Sequence, residues 1–209
     1  MKRTIKFNRN VIDILMYSDM DVSSRTIYVW DNPATDENGQ TNLDGTVSKN
    51  TIKFLKYLDR LSNEPITLIL NSSGGTVNDG YAIYDVIRSM RSKVTVEIVG
   101  VANSAATLVL LAADKKLCHE NVEIMVHDGT SYAQGTMRDV EKQIDFLKKE
   151  RTGYYDILSK HTKKPKKFWE SICGNDSYFG AKEALKLGLV DKIIKHKKLK
   201  YKKSIKTSN

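Results

Sequence analysis

The chain has 209 residues, 40% of them hydrophobic and 28% charged, which is typical of a globular chain long enough to bury a core. No uninterrupted apolar run reaches the roughly 18 residues of a membrane span, and no apolar signal region follows the basic start. We therefore expect a cytoplasmic protein without membrane attachment. The net charge is +9, but residues 191–209 carry +7, so the remaining chain carries only 9 − 7 = +2.

The first half of the chain alternates between strand and helix patterns. Residues 1–25 are mixed and are predicted to form an N-terminal arm with a short helix at 11–16. A β-branched and aromatic run predicts a strand at 26–30, and the polar segment 31–45 predicts an exposed loop. Apolar spacing and apolar runs then predict a helix at 48–61, a strand at 66–70 and a helix at 77–90.

The same alternation continues to residue 194. The sequence predicts strands at 94–101, 121–127 and 189–194, and helices at 105–113, 136–161, 163–173 and 181–187. Repeated β–α units of this kind favour an α/β fold with a mostly parallel sheet flanked by helices. The helix at 136–161 is long for such a chain, and we expect it to project and contact another subunit. The lysine-rich segment 195–209 is predicted to be a disordered tail, with nucleic-acid binding as the alternative.

The cysteines indicate neither a disulfide framework nor a metal site. Cys118 and Cys173 form no Cys-x-x-Cys pair, so we interpret them as structural thiols. The segment Cys118–His119–Glu120 lacks a second ligand pair at a suitable spacing. We predict no metal.

Two strand-to-helix junctions could carry chemistry. At Asn71–Gly75, adjacent glycines would allow a tight turn whose N–H groups could bind a phosphate or an oxyanion. A plain tight turn is the alternative. At the second junction, Ser104 lies among small residues before a buried helix, where a nucleophile would have amides nearby for a developing oxyanion. Serine is also a common helix N-cap, so that interpretation stays open.

A serine nucleophile needs a base, and the histidines offer one candidate. Of the four histidines, only His127 ends an apolar strand next to a loop, where sites collect in α/β sheets. A structural histidine is the alternative. Twenty-five acidic residues leave open which carboxylate would orient the imidazole.

Four ordered segments resemble motifs of the ClpP family of caseinolytic serine peptidases. They are Asn71–Val77 (N-S-P-G-G-x-[VI]), Gly100–Ala106 (G-x-A-A-S-M-[GA]), Met125–His127 (M-[IV]-H) and Glu183–Asp191 (E-A-x-x-x-G-L-[VI]-D). The resemblance runs from about residue 45 to 194. It implies the ClpP/crotonase-like fold for a peptidase domain at 26–194.

The resemblance also implies roles for individual residues. Ser104 would be the nucleophile, His127 the general base and Asp176 the third member of a Ser-His-Asp triad, with Asp128 and Asp191 as fallback candidates for that third place. The implied oxyanion donors are the amides of Gly74 and Ala105. The implied substrate-binding residues are Gly75, Val77 and Thr130. No cofactor is expected.

Family members form two stacked rings of seven and degrade polypeptides delivered by a hexameric AAA+ ATPase unfoldase. Here the helix at 136–161 would be the handle between rings. The chain departs from the family at the site, where Ser73 replaces the turn proline and Asp128–Gly129 replaces Gln-Pro. At the expected unfoldase groove, Thr67 and Ile69 replace aromatic residues. In addition, residues 31–43 look like an added loop, and the N-terminal segment does not match the family's axial loop.

These departures leave three rivals to an unfoldase-dependent protease. The first is a processing peptidase of the same fold, such as a phage head-maturation protease. The second is acyl-CoA chemistry of the crotonase type, and the third is an inactive structural paralogue. A complete triad argues against the last two.

Overall fold

The computed structural model describes residues 19–31 and 43–196. The helix expected at 11–16, most of the loop at 31–45 and the tail from 197 lie outside the described residues. The strands are β1 Met20–Asp21, β2 Thr26–Trp30, β3 Ile66–Ser72, β4 Val94–Asn103, β5 Lys115–His119, β6 Glu123–Val126, β7 Ser177–Gly180 and β8 Lys192–Ile194. The helices are α1 Gly45–Leu61, α2 Val77–Ser89, α3 Ala106–Ala112, α4 Met137–His161, α5 Lys166–Ile172 and α6 Ala181–Leu187.

The strands form one mixed sheet that is mostly parallel, as the alternating pattern predicts. Its main order is β1-β2-β3-β4-β5-β8, with β1 antiparallel to β2 and the other neighbours parallel. The sheet divides at β4, whose first half pairs with β5 and whose last residues pair with β6. β7 then pairs antiparallel with β6. The division brings the end of β4 beside the end of β6.

The core lies between the sheet and the helices that return to it. Side chains of β3 alternate between buried and half-buried positions, and all seven residues of α3 are buried. Full burial of a leucine or valine side chain contributes roughly 1.5–3 kcal/mol, so α3 is a major source of stability. It is the buried helix that the apolar run at 105–113 predicts.

Three strands were not predicted: β1, which falls in the segment expected to be an N-terminal arm, β5 and β7. β5 begins with two lysines, and β7 is a four-residue strand that follows a polar turn. Lys116 is nevertheless buried in β5, where its Nζ donates hydrogen bonds to the carbonyl oxygens of His161 at 2.7 Å and Gly188 at 2.8 Å. Burial lowers the pKa of Lys116 below its usual value, while Asp191 opposes that shift. These distant partners stabilise a strand that its own residues do not indicate.

The buried side chains of helix α4 all lie in its second half. A capping box formed by Thr136 and Asp139 starts the helix. Its buried residues are Tyr154, Tyr155 and Leu158, whereas Phe146 in the first half is 64% exposed. The first half therefore presents an apolar side chain that the described part of the chain leaves largely uncovered.

The environment of both cysteines is that of structural thiols. Cys118 and Cys173 are both free and buried, and burial raises their pKa to about 11 and about 12. Neither thiol is therefore activated as a nucleophile. Within residues 19–31 and 43–196, no helix is long and apolar enough to cross a membrane.

Candidate active site

Ser104 lies at the sharp turn between β4 and α3. Its φ is +52°, a left-handed value that is uncommon for a residue other than glycine. The Ser104 N–H donates to the carbonyl oxygen of Met125 at 2.8 Å, and its own carbonyl accepts from the Thr107 hydroxyl at 2.6 Å. The helix N-cap is Ala105, which has no side-chain cap, so the Ser104 hydroxyl is not a capping group. These backbone hydrogen bonds hold Ser104 in its left-handed conformation and leave its hydroxyl free to contact another side chain.

The Ser104 hydroxyl meets His127. Their Oγ and Nε2 atoms are 2.8 Å apart, and the other ring nitrogen, Nδ1, lies 2.9 Å from Oδ1 of Asp176. The structure therefore joins the three residues as a hydroxyl–imidazole–carboxylate chain. The His127 side chain is 25% exposed and that of Asp176 is 54% exposed, so the carboxylate lies at the solvent edge.

Strand register explains why these three residues meet. Asn103 pairs with Met125, which places the residues that follow β4 and β6 side by side. Val126 pairs with Ser177 in the antiparallel β6–β7 ladder, so His127 and Asp176 lie at the same end of that ladder. The two contacts are thus consequences of how β6 pairs on its two edges.

The two fallback carboxylates contact residues other than His127. Asp128 accepts a short hydrogen bond from the Tyr155 hydroxyl and lies 3.6 Å from the Arg151 guanidinium, both on α4. Asp191 accepts from the Lys116 N–H at 2.8 Å. Both carboxylates therefore have other partners, and neither is the one hydrogen-bonded to the imidazole.

The segment Asn71–Gly75, which we call the glycine turn, lies against Ser104. A Cβ added to Gly74 would lie 2.5 Å from the Asn103 carbonyl oxygen and 2.7 Å from Ser104 Cβ. Gly74 also has φ +100°, so both space and conformation require glycine there. The turn and the α3 start therefore approach each other as closely as backbone permits.

The amides of this region differ in their availability. The Gly74 N–H donates to the buried Ser72 hydroxyl at 3.1 Å. The N–H groups of Gly75 and Ala105 make no hydrogen bond to another residue in the described ranges. Of the two predicted oxyanion donors, the Ala105 N–H is thus available to a ligand, whereas the Gly74 N–H already donates to Ser72.

A cleft of about 840 Å³ runs beside Ser104 and His127. The three predicted substrate-binding residues, Gly75, Val77 and Thr130, all line it. Another wall comes from α4, through side chains that were not predicted as site residues: Ile144, Leu147, Lys148, Glu150, Arg151 and Tyr154. Their spacing of three and four residues on one helix face was the available signal.

Tyr154 and Tyr155 connect this wall to the site, and neither was predicted as a site residue. The Tyr154 hydroxyl lies 2.7 Å from the Thr107 hydroxyl on α3. Burial raises the pKa of both phenols above the usual tyrosine value, and for Tyr155 the Asp128 carboxylate adds to that effect. Both side chains therefore stay protonated and able to donate hydrogen bonds.

Comparisons with known proteins agree on one family. Residues 39–197 match the family model described as Clp protease. The chain is 33% identical over 182 residues to the ATP-dependent Clp protease proteolytic subunit of Carsonella ruddii, covering 86% of this chain and 88% of that protein. It is 32% identical over 157 residues to the subunit of the same name from Deinococcus radiodurans, covering 74% and 77%. A solved structure of a ClpP1 point mutant from Listeria monocytogenes superposes with a TM-score of 0.73 at 23% identity, covering 84% and 94%.

Proposed function

The chain belongs to the Clp protease family, and from this premise we propose that it is a serine endopeptidase that cleaves polypeptides with Ser104, His127 and Asp176. The membership confirms the resemblance that the four motifs indicate, and the structural match confirms the ClpP-like fold. The observation that carries the proposal is the continuous contact from Ser104 Oγ through the imidazole to Asp176, at 2.8 and 2.9 Å.

The mechanism follows from the order of these contacts. His127 Nε2 takes the proton of the Ser104 hydroxyl as Oγ attacks the scissile carbonyl, and the imidazolium then gives that proton to the leaving amine. A water molecule hydrolyses the resulting acyl-enzyme by the same steps in reverse. Asp176 accepts from Nδ1–H, which keeps the tautomer that leaves Nε2 free to act as the base.

The oxyanion of the tetrahedral intermediate needs backbone donors near Ser104. We propose the Ala105 N–H as one donor and the glycine turn as the source of the other. Gly74, the donor implied by the resemblance, would have to release the Ser72 hydroxyl, whereas Gly75 needs no such exchange. A Ser72→Ala variant separates the two: faster acylation assigns the role to Gly74, and an unchanged rate assigns it to Gly75.

Substrate would lie extended along the cleft, against Gly75 and Val77 on one side and Thr130 on the other. An extended chain presents unpaired N–H and C=O groups to the edge of the site, as in other strand-addition complexes. The wall from α4 then receives side chains that point away from the glycine turn. No cofactor takes part in this chemistry.

For assembly, we propose the two stacked seven-membered rings of the family, acting with an AAA+ unfoldase in the cytoplasm. The largely uncovered first half of α4, with Phe146 64% exposed, supports a helix that packs against another subunit. We further propose residues 26–194 as the peptidase domain, between an N-terminal arm at 1–25 and a basic tail at 195–209.

Covalent labelling with a fluorophosphonate probe tests the proposal. We expect labelling confined to Ser104, located by mass spectrometry, and lost in Ser104→Ala. Ser131→Ala is the matched control, because Ser131 lines the same cleft without an imidazole partner. Labelling of Ser131, or none of a folded wild type, would contradict the proposed nucleophile.

Unfoldase dependence tests the partner separately. Thr67 and Ile69 occupy positions where the family has aromatic residues, which favours the rival processing peptidase. Adding a Clp-type ATPase with ATP should accelerate degradation of a folded protein while leaving short-peptide hydrolysis unchanged. Equal rates with and without the ATPase would support the processing peptidase instead.

A further inference from the structure

Both ends of the segment 31–43 contact the glycine turn. Asp31, directly after β2, accepts hydrogen bonds at Oδ2 from the Ser73 N–H at 2.8 Å and from the Ser73 hydroxyl at 2.6 Å. At the other end, the Leu43 N–H donates to the Gly74 carbonyl at 2.7 Å, and the Leu43 side chain is fully buried. The turn is therefore attached to the chain on either side of this segment.

Ser73 is one of the departures from the motif that this turn resembles, in which proline precedes the two glycines. Proline fixes φ near −65° and has no N–H group. Serine removes that restraint and adds an N–H and a hydroxyl, both of which need acceptors. A single carboxylate oxygen of Asp31 accepts from both, and hydrogen bonds to a charged acceptor are among the stronger ones.

The position of this turn matters because of what lies next to it. A Cβ on Gly74 would be 2.7 Å from Ser104 Cβ and 3.1 Å from the Ala105 nitrogen. Any shift of the turn therefore changes its distance from the proposed nucleophile and from the open Ala105 N–H. Misplacement of a reacting group by about 1 Å can reduce a rate about 100-fold.

We propose that Asp31 is a positioning residue that holds the glycine turn against Ser104 through Ser73, a restraint that the proline ring supplies in the related motif. Ser73 lines the cleft and Asp31 does not, so the carboxylate acts through the turn and not on the substrate. The inference rests on the proposed serine-peptidase function.

The test measures kcat and KM on a short fluorogenic peptide and the rate of Ser104 labelling by a fluorophosphonate. Asp31→Ala should lower kcat and the labelling rate at least tenfold, with KM changed less than twofold. Asp31→Asn keeps an acceptor oxygen and should recover most of the loss. Asp44→Ala is the matched control: its carboxylate also accepts two backbone N–H groups, at 2.8 and 2.9 Å, but caps α1. It should lower Tm and leave kcat unchanged.

A double variant gives the decisive comparison. In a Ser73→Pro background the ring restrains the turn and no N–H requires an acceptor, so Asp31→Ala should change kcat less than twofold. An equal loss in both backgrounds, or a wild-type labelling rate in Asp31→Ala, would overturn the proposal. If Ser73→Pro does not fold, equal losses in Asp31→Asn and Asp31→Ala overturn it. A wild type that is not labelled at all would instead refute the serine-peptidase function.

Discussion

Gly74 in the glycine turn lies directly against Ser104, where an added Cβ would be 2.7 Å from Ser104 Cβ. An alanine Cβ there would lie 2.5 Å from the Asn103 carbonyl oxygen, and ordinary Cβ contacts begin at 3.4 Å, so that contact must open by 3.4 − 2.5 = 0.9 Å. The left-handed φ of +100° adds a conformational cost of roughly 1–2 kcal/mol. A shift of about 1 Å beside a nucleophile can cost about 100-fold in rate. We therefore expect Gly74→Ala to lower kcat/KM about 100-fold and to lower the free energy of unfolding by roughly 1–3 kcal/mol.

Peptide hydrolysis gives kcat/KM, and urea denaturation gives the free energy of unfolding. Gly45→Ala is the matched control, because a Cβ at this first position of α1 meets no atom within 4 Å. It should leave both quantities close to wild type. A folded Gly74→Ala protein whose kcat/KM stays within threefold of wild type would refute the view that the spacing between turn and nucleophile limits the rate.

Three further substitutions test other contacts. Asp176→Asn should lower kcat 10²- to 10⁴-fold in the peptide assay, because an amide no longer favours the required tautomer of His127; a loss below tenfold would count against its orienting role. Tyr155→Phe leaves Asp128 without its hydroxyl donor and should cost roughly 1–3 kcal/mol in urea denaturation, and an unchanged midpoint would contradict this. Burial and nearby cations lower the pKa of His161 to about 4 from 6.5, so the folded state resists protonation and stability should be lost as pH falls from 6.5 towards 4, which urea denaturation at a series of pH values would measure. His161→Gln should flatten that part of the stability curve, and an unaltered slope would assign the loss to other groups.

Local sequence patterns correctly predicted those strands and helices whose own residues have the matching apolar spacing. The strand at Thr26–Trp30 and the helix at Ala181–Leu187 were predicted with the bounds they have in the structure. β4 continues through Asn103, two residues beyond its predicted end, because its last residues pair with β6. β5 could not be predicted, because its buried Lys116 donates to the carbonyl groups of His161 in α4 and of Gly188 after α6. No local sequence pattern encodes these distant contacts.

Some residues of the candidate site could likewise be predicted from local sequence, whereas others depend on contacts between distant strands. Ser104 and His127 were candidates from their junctions alone, because strand ends and small residues mark them in the sequence. Local sequence could not identify the carboxylate that contacts His127, because that contact results from the pairing of β6 with β7. Asp176 was therefore predicted only from the family resemblance. The contact between Asp31 and Ser73 spans 42 residues and had no sequence signal at all.

The pairing of β7 with β6 also has a consequence for a chain that is still being synthesised. The proposed aspartate follows the nucleophile by 176 − 104 = 72 residues, so at roughly 5–20 residues per second the ribosome adds it several seconds later. Until β7 has emerged and paired with β6, a nascent chain holds a serine and an imidazole with no carboxylate to orient them. Under the proposed mechanism, peptide hydrolysis can therefore begin only after β7 has paired with β6.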